Sequence, residues 1–171
     1  MDKVRLFLDV DDVVYDTTRY LQEITGCKED VYDYFQAEGR SLTGMSNLLD
    51  YEKIPKRVSD DEVRRLSETF DVVFCSEYFT KREIIQKRDM LYELFNLDTI
   101  GVNRAMSRKY FIPMNGSILV DDNIMILDRS SASSKVCMYN GNEEEINKFI
   151  GYTVKDFESI IWLYKNGFIG I

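Results

Sequence analysis

The stretch Val4-Arg5-Leu6-Phe7-Leu8-Asp9-Val10-Asp11-Asp12-Val13-Val14-Tyr15-Asp16 decides how the rest of the chain is read. It opens as a short, mostly apolar run of the kind that forms a buried strand. The run ends on two carboxylates one residue apart, Asp9 and Asp11. Asp is a poor strand residue, so a strand that stops on acids stops at a turn. In an open α/β sheet, ligands bind just beyond the carboxyl ends of the strands. A buried N-terminal strand therefore delivers Asp9 and Asp11 to the rim where chemistry takes place. Taken alone, the same residues also describe an acidic turn with no further role.

Two later segments repeat the design. Val72-Val73-Phe74-Cys75 is an apolar run ending on Ser76, and Ser117-Ile118-Leu119-Val120 ends on Asp121-Asp122-Asn123. Residues 99 to 103 and Lys135-Val136-Cys137-Met138-Tyr139 are further strand candidates. Helical signals fill the gaps. Tyr20, Leu21 and Ile24 form one apolar stripe, Val31, Tyr34 and Phe35 a second, and Met45, Leu48 and Leu49 a third. Ser59-Asp60-Asp61-Glu62 and Thr80-Lys81-Arg82-Glu83 each place a hydroxyl three residues before a carboxylate, the spacing of a capping box. The first opens a helix carrying Val63, Leu66 and Phe70; the second opens one running to about Phe95. Residues 104 to 116 read as irregular, and helices near 142–149 and 154–165 finish the chain, Thr153 and Asp156 standing at capping spacing for the last.

Strands alternating with helices predict an α/β fold, a doubly wound parallel sheet with a Rossmann-like core. Right-handed crossovers bring every strand's carboxyl end to the same rim. That rim collects Asp9, Asp11, Ser76, Asp121 and Asp122. One crossover needs a dozen or more residues, and far more lie between Asp9 and Ser76. The excess reads as a small helical cap, residues 17–70, inserted after the first strand into a core of residues 1–16 and 71–171.

Composition narrows the chemistry. The 171 residues are 44% hydrophobic and 30% charged, the balance of a globular chain with a real core. With 30 acidic and 22 basic side chains the net charge is −8, which argues against long nucleic acids and anionic membranes as partners. Cys27, Cys75 and Cys137 are an odd, widely spaced set, which suggests a reducing, cytoplasmic setting rather than a disulfide framework. No leader-like or membrane-spanning apolar run is visible. The chain has no histidine, so Ser-His and Cys-His nucleophile schemes are excluded and a structural zinc site is disfavoured. Catalysis would rest on carboxylates, lysine, hydroxyls or a hard metal ion. Carboxylates converging on one rim repel and raise one another's pKa. Mg²⁺ resolves that repulsion, since it takes oxygen ligands and binds through one or two carboxylates plus a substrate phosphate. A serine and a lysine would hold the remaining phosphate oxygens. Lys109, in the irregular stretch before Asp121, is the lysine in reach, with Lys81, Lys87 and Arg108 as rival cations. Such an assembly suits phosphoryl transfer through an aspartyl-phosphate.

The residues Asp9-Val10-Asp11-Asp12-Val13-Val14 after an apolar strand resemble the first motif of the haloacid dehalogenase superfamily phosphatases. Val72 to Ser76 resembles the second motif, Lys109 the third and Ile118 to Asp122 the fourth, in the same order. The Asp11-Asp12 pair, the trailing Asp16 and the small helical cap resemble the 5'(3')-deoxyribonucleotidase group. Where nucleotidases carry Pro-rich sequence after the second motif, Glu77-Tyr78-Phe79 follows here. The resemblance implies Asp9 as nucleophile and Asp11 as the group that protonates the leaving alkoxide and then activates water. It implies Ser76 and Lys109 as phosphate ligands. It places Mg²⁺ on Asp9, Asp121, Asp122 and the Asp11 backbone carbonyl, and a nucleoside monophosphate as substrate. Sugar phosphates and other small phosphorylated metabolites fit the same rim. Away from the metal and near other carboxylates, the Asp11 pKa is expected to rise. The aromatics Tyr15, Tyr20, Tyr32, Tyr34 and Phe35 are open to two uses, stacking a base or packing the cap. A signalling receiver domain, a non-enzymatic phosphoacceptor, also uses clustered Asp, Ser or Thr and Lys. It carries its acidic pair on the first strand, however, and has no cap.

Overall fold

The computed structural model of the chain describes residues 3–37, 39–139 and 141–170. Its centre is a parallel sheet of strands β1 (Arg5–Leu8), β2 (Asp71–Tyr78), β3 (Thr99–Asn103), β4 (Ile118–Asp121), β5 (Ser134–Met138) and β6 (Tyr152–Val154). The strand order is β3-β2-β1-β4-β5-β6. Around it lie helices α1 (Thr17–Thr25), α2 (Val31–Gln36), α3 (Leu42–Leu48), α4 (Asp60–Thr69), α5 (Lys81–Phe95), α6 (Ile124–Arg129), α7 (Glu143–Ile146) and α8 (Phe157–Lys165). A single 3-10 turn covers Lys109–Phe111. None of these helices is long and apolar enough to cross a membrane, and Cys27, Cys75 and Cys137 are free thiols.

Side chains alternate across the sheet, so β1, β2, β4 and β5 each feed two cores. Leu6, Leu8, Phe74, Ile118 and Val120 pack with Leu66 of α4, Leu91 of α5 and Ile160 of α8. Phe7, Val73, Cys75, Leu119 and Cys137 pack on the other face with Ile126 and Leu127 of α6. Leu8 stands level with Phe74 and with Val120 in the two flanking strands. The chain order runs outward in one direction through β1, β2 and β3 and in the other through β4, β5 and β6. The order therefore reverses between β1 and β4, the place where open α/β sheets bind ligands. Asp9 follows β1 there, and Asp121 ends β4.

The segment after β1 leaves and returns through a paired ribbon. The Asp16 N–H donates to the Pro55 carbonyl and the Arg57 N–H to the Val14 carbonyl, each at 2.8 Å. Helices α1, α2 and α3 lie between these two crossings. Helix α4, which follows, packs against α8, α5 and β2.

Several elements differ from the sequence expectation, each for a local reason. Strand β2 runs past Ser76 to Tyr78, because β3 keeps pairing through Ser76–Gly101, Glu77–Val102 and Tyr78–Asn103. Gly101 is needed in that register: a Cβ there would lie 2.5 Å from the Ile84 side chain of α5. The Ser59 capping box forms in full. At Thr80 only half forms, since the hydroxyl accepts from the Glu83 N–H while the Glu83 carboxylate turns inward. Strand β6 and helix α6 are too short to leave a periodic signal. The last helix starts at Phe157 on an Asp156 cap, and Thr153 belongs to β6.

Asp12 adopts a left-handed conformation, φ 56°, at the tight turn between the strand and the cap. Asp tolerates this region better than a bulky residue does. Its carboxylate also accepts from the Thr18 N–H at 2.9 Å and the Thr18 hydroxyl at 2.5 Å. Asp12→Val should therefore lower the unfolding free energy by at least the ~1–2 kcal/mol of a left-handed, side-chain-bearing residue. Asp12→Asn should keep most of the stability. Urea titration of both variants checks this, and equal midpoints would refute it.

Candidate active site

Four side chains meet where the strand order reverses. Asp9 is the first residue beyond β1, its N–H held by the Val120 carbonyl at 3.0 Å. Asp121 is fully buried at the end of β4. The Lys109 ammonium lies between them, 2.8 Å from Asp9 Oδ1 and 2.6 Å from Asp121 Oδ2. Asp122 completes the group: Asp9, Asp121 and Asp122 each offer a carboxylate oxygen within 4.8 Å of the others. Lys109 reaches this place because Glu77, at the end of β2, anchors the turn that carries it. Glu77 Oε1 accepts from the Lys109 N–H at 2.9 Å and from Arg108 Nε at 2.8 Å.

Among the described residues, one buried ammonium faces three carboxylates, and the balance shows in their proton affinities. Burial pushes the Asp9 carboxyl up to about 8, with Asp121 and Asp11 acting the same way against Lys109. Burial, then Asp121, Asp9 and Asp12, hold Asp122 well above the carboxylate range. Asp121 is raised by burial, with Lys109 opposing. Burial alone would lower the Lys109 pKa, but Asp121 and Asp9 outweigh it and hold the ammonium charged. A cluster of hard carboxylate oxygens with too little positive charge fits a hard divalent cation such as Mg²⁺.

A second cluster surrounds Asp11. Its Oδ1 accepts from the Tyr51 hydroxyl at 2.5 Å and the Thr17 hydroxyl at 2.9 Å. Its Oδ2 accepts from Lys87 Nζ at 2.5 Å and from the Ser76 hydroxyl at 3.3 Å. The expected rise in the Asp11 pKa is corrected here. Burial does push it up, but the Lys87 charge and the hydrogen bonds from Lys87, Tyr51 and Thr17 outweigh burial and hold it below its ordinary value. Ser76, read as a phosphate ligand, is fully buried and belongs to this cluster. It receives Lys87 Nζ at 3.0 Å, and its hydroxyl also approaches the Glu77 carbonyl at 3.2 Å. Of the rival cations, Lys87 thus serves Asp11, Arg108 pairs with Glu77, and Lys81 is exposed at the start of α5.

A cavity of about 90 Å³ joins the two clusters, with Asp9, Asp11, Lys109 and Asp122 on the core side and Leu21, Tyr32 and Met45 on the cap side. Arg104 closes one wall. Its guanidinium sits 4.6 Å from the Tyr32 ring centre and 5.2 Å from that of Phe79, both within cation–π range. The aromatics divide clearly. Tyr15 and Phe35 are buried in the core, and Tyr20 and Tyr34 pack against it; of the five, Tyr32 lines the cavity. Tyr51, Thr17, Glu77 and Arg104 carry no motif. Lys87 left a faint signal: Glu83, Lys87 and Leu91 recur every four residues, so two charges share the buried face of α5.

No family model matches the chain, and no curated protein matches it. Solved structures do. A haloacid dehalogenase-like hydrolase from Burkholderia xenovorans aligns with a TM-score of 0.62 at 14% identity, over 99% of this chain and 100% of that one. YfnB from Bacillus subtilis, described as a HAD-hydrolase and bound to magnesium, aligns at 0.58 and 13% identity, over 95% of this chain and 99% of that one. A HAD-superfamily hydrolase from Geobacter sulfurreducens aligns at 0.52 and 13% identity, over 94% and 96%. At such identities the likeness is one of fold: the chain shares the α/β architecture of these hydrolases.

The charge imbalance makes Lys109 testable without any substrate. Lys109→Met leaves Asp9 and Asp121 buried without their shared ammonium, and breaking a buried pair costs about 3–5 kcal/mol. The variant's urea midpoint should fall accordingly, and Mg²⁺ should raise it more than it raises the wild-type midpoint. An unchanged midpoint without metal, or no response to Mg²⁺, would count against this account.

Proposed function

We propose that the protein is a Mg²⁺-dependent phosphomonoester hydrolase that works through an aspartyl-phosphate on Asp9. The observation that carries the reading is the Lys109 ammonium bridging Asp9 and Asp121 at the switch point, beside Asp122. The common fold with hydrolases of the haloacid dehalogenase superfamily, one of them bound to magnesium, supports it.

In this reading a carboxylate oxygen of Asp9 attacks phosphorus and the bond from phosphorus to the ester oxygen breaks. Lys109 fixes the Asp9 carboxylate in place and contributes positive charge to the phosphoryl oxygens. Asp11, lining the same cavity two residues on, gives its proton to the departing alkoxide. Water then attacks phosphorus, Asp11 takes the water's proton, and the bond from Asp9 to phosphorus breaks, releasing phosphate and the free carboxylate. Asp9, Asp121, Asp122 and the Asp11 carbonyl would hold Mg²⁺, which when bound supplies charge neutralisation and in-line positioning of the phosphoryl group. The four donors on Asp11 favour its ionised form, so proton donation requires some of them to let go as substrate enters.

The cavity volume bears on the substrate. About 90 Å³ is well below the ~300 Å³ at which pockets for drug-sized ligands begin. A small phosphorylated metabolite suits the closed arrangement; a nucleoside monophosphate requires the cap to swing away, with Tyr32 then available to stack its base. The net charge of −8 supports a small substrate over long nucleic acid or a membrane surface.

Activity on a generic aryl phosphate should show multiple turnovers, vanish with a chelator and return with Mg²⁺, while Ca²⁺ should support it poorly because its looser coordination disturbs the in-line geometry. Asp9→Asn should lose on the order of 10³-fold or more, as expected when a covalent nucleophile is removed. It should also show no phosphorylated species by intact mass after acid quench. Full activity in excess chelator, or phosphorylation of Asp9→Asn, would sink the proposal.

A second test concerns the cap. Tyr32→Ala should reorder a panel of phosphomonoesters, because Tyr32 lines the cavity. Phe35→Ala should instead lower the melting temperature, because Phe35 is core. A uniform loss on every substrate from Tyr32→Ala would assign that residue to packing as well.

A further inference from the structure

Lys87 is a lysine with no exposed surface, and the proposed chemistry gives it no part. Fully buried lysines are rare unless paired. This one is paired several times over. Its three N–H donors are shared among four oxygens within reach of Nζ: Asp11 Oδ2 at 2.5 Å, Glu83 Oε1 at 2.6 Å, the Ser76 hydroxyl at 3.0 Å and the Glu77 carbonyl at 3.0 Å.

The two oxygens of Asp11 are held by different parts of the molecule. Oδ1 is held by Thr17, the first residue of α1, and by Tyr51, beyond α3, both within the segment over the rim. Oδ2 is held by Lys87 of α5 and Ser76 of β2, both in the core. Glu83 extends the core half to the cap: its Oε2 accepts from the Ser46 hydroxyl of α3 at 2.5 Å and from the Phe79 N–H at 3.1 Å. A cap that moves to admit substrate takes Tyr51 with it and strips donors from Oδ1. The Lys87 contact to Oδ2 lies wholly within the core and stays.

We infer that Lys87 is a positioning residue, the fixed half of a clamp that keeps the Asp11 carboxylate aimed into the cavity while the cap half engages and releases. The inference rests on the phosphatase reading for its kinetic consequence and on geometry alone for its structural one. A misplaced Asp11 matters where the leaving group needs a proton and little where it does not. Buried charge is the practical difficulty, since Lys87→Met alone strands Glu83. Lys87→Met combined with Glu83→Gln removes both charges and keeps similar shapes.

The experiment compares an alkyl phosphate with nitrophenyl phosphate, in Mg²⁺, for the wild type, Lys87→Met and the double variant. The alkyl ester should lose on the order of 10²-fold in kcat, the scale of one proton-transfer group. The nitrophenyl ester should be at least about ten times less affected, since its leaving group forgoes that assistance. A crystal structure of the double variant should show the Asp11 carboxylate rotated away from its Lys87-bound position. Equal losses on both esters, or an Asp11 side chain unmoved in the double variant, overturn the inference. If the wild type turns over neither ester, the phosphatase reading is what fails. The position of Asp11 in the double variant then decides the clamp by itself.

Discussion

The constraint on which the rest depends is the gathering of carboxylates at the ends of two neighbouring buried strands. Strands β1 and β4 lie side by side because their apolar runs cover both faces of the sheet, and that pairing leaves Asp9 and Asp121 next to each other. Like charges brought together out of water must be neutralised, protonated or bridged. Lys109 does part of this. Its own position depends on Glu77 holding the turn before it, so a residue outside the carboxylate group fixes where the compensating charge stands.

The period of the strand separates the site into two jobs. Glu77 stands at the end of β2 toward Lys109, whereas Ser76, one residue earlier, points the other way into the Lys87 cluster. After β1, Asp9 and Asp11 also part company. Asp9 joins the lysine of the turn, and Asp11 joins the lysine of a helix. Two carboxylates two residues apart thereby acquire opposite electrostatic fates, one raised toward neutrality and one held ionised.

What was legible in the chain follows the same physics. The strands that matter are runs of Val, Leu, Ile and Phe stopped by acids, and such runs read directly as buried parallel strands; Asp9, Asp121 and Asp122 came with them. Lys109 was named from its place before Asp121 with Lys81, Lys87 and Arg108 left as rivals, and the structure sets its ammonium between Asp9 and Asp121. The partners of Asp11 were not, because Tyr51, Thr17 and Lys87 reach it by tertiary packing across long separations in the chain. A buried lysine is indistinguishable in sequence from an exposed one except for its place on an apolar helix face. The expected rise in the Asp11 pKa failed for that reason: neighbouring carboxylates are visible in the sequence, and a buried ammonium beneath them is not. Strand β6 and helix α6 escaped because a few residues carry no periodicity, and the inward turn of Glu83 because Lys87, Ser46 and the Phe79 N–H hold its carboxylate.

The junction at Asp11 also bears on the order in which the chain acquires its structure. Asp11, Tyr51 and Lys87 come from three segments with long intervening chain, so their contacts close large loops, which is slow relative to local helix formation. Until β1 and β2 have paired and α5 has docked, a charged lysine and two acids on these segments gain more from water than from one another. The polar junction is therefore a late event of folding. Its disruption would show mainly as faster unfolding rather than slower folding.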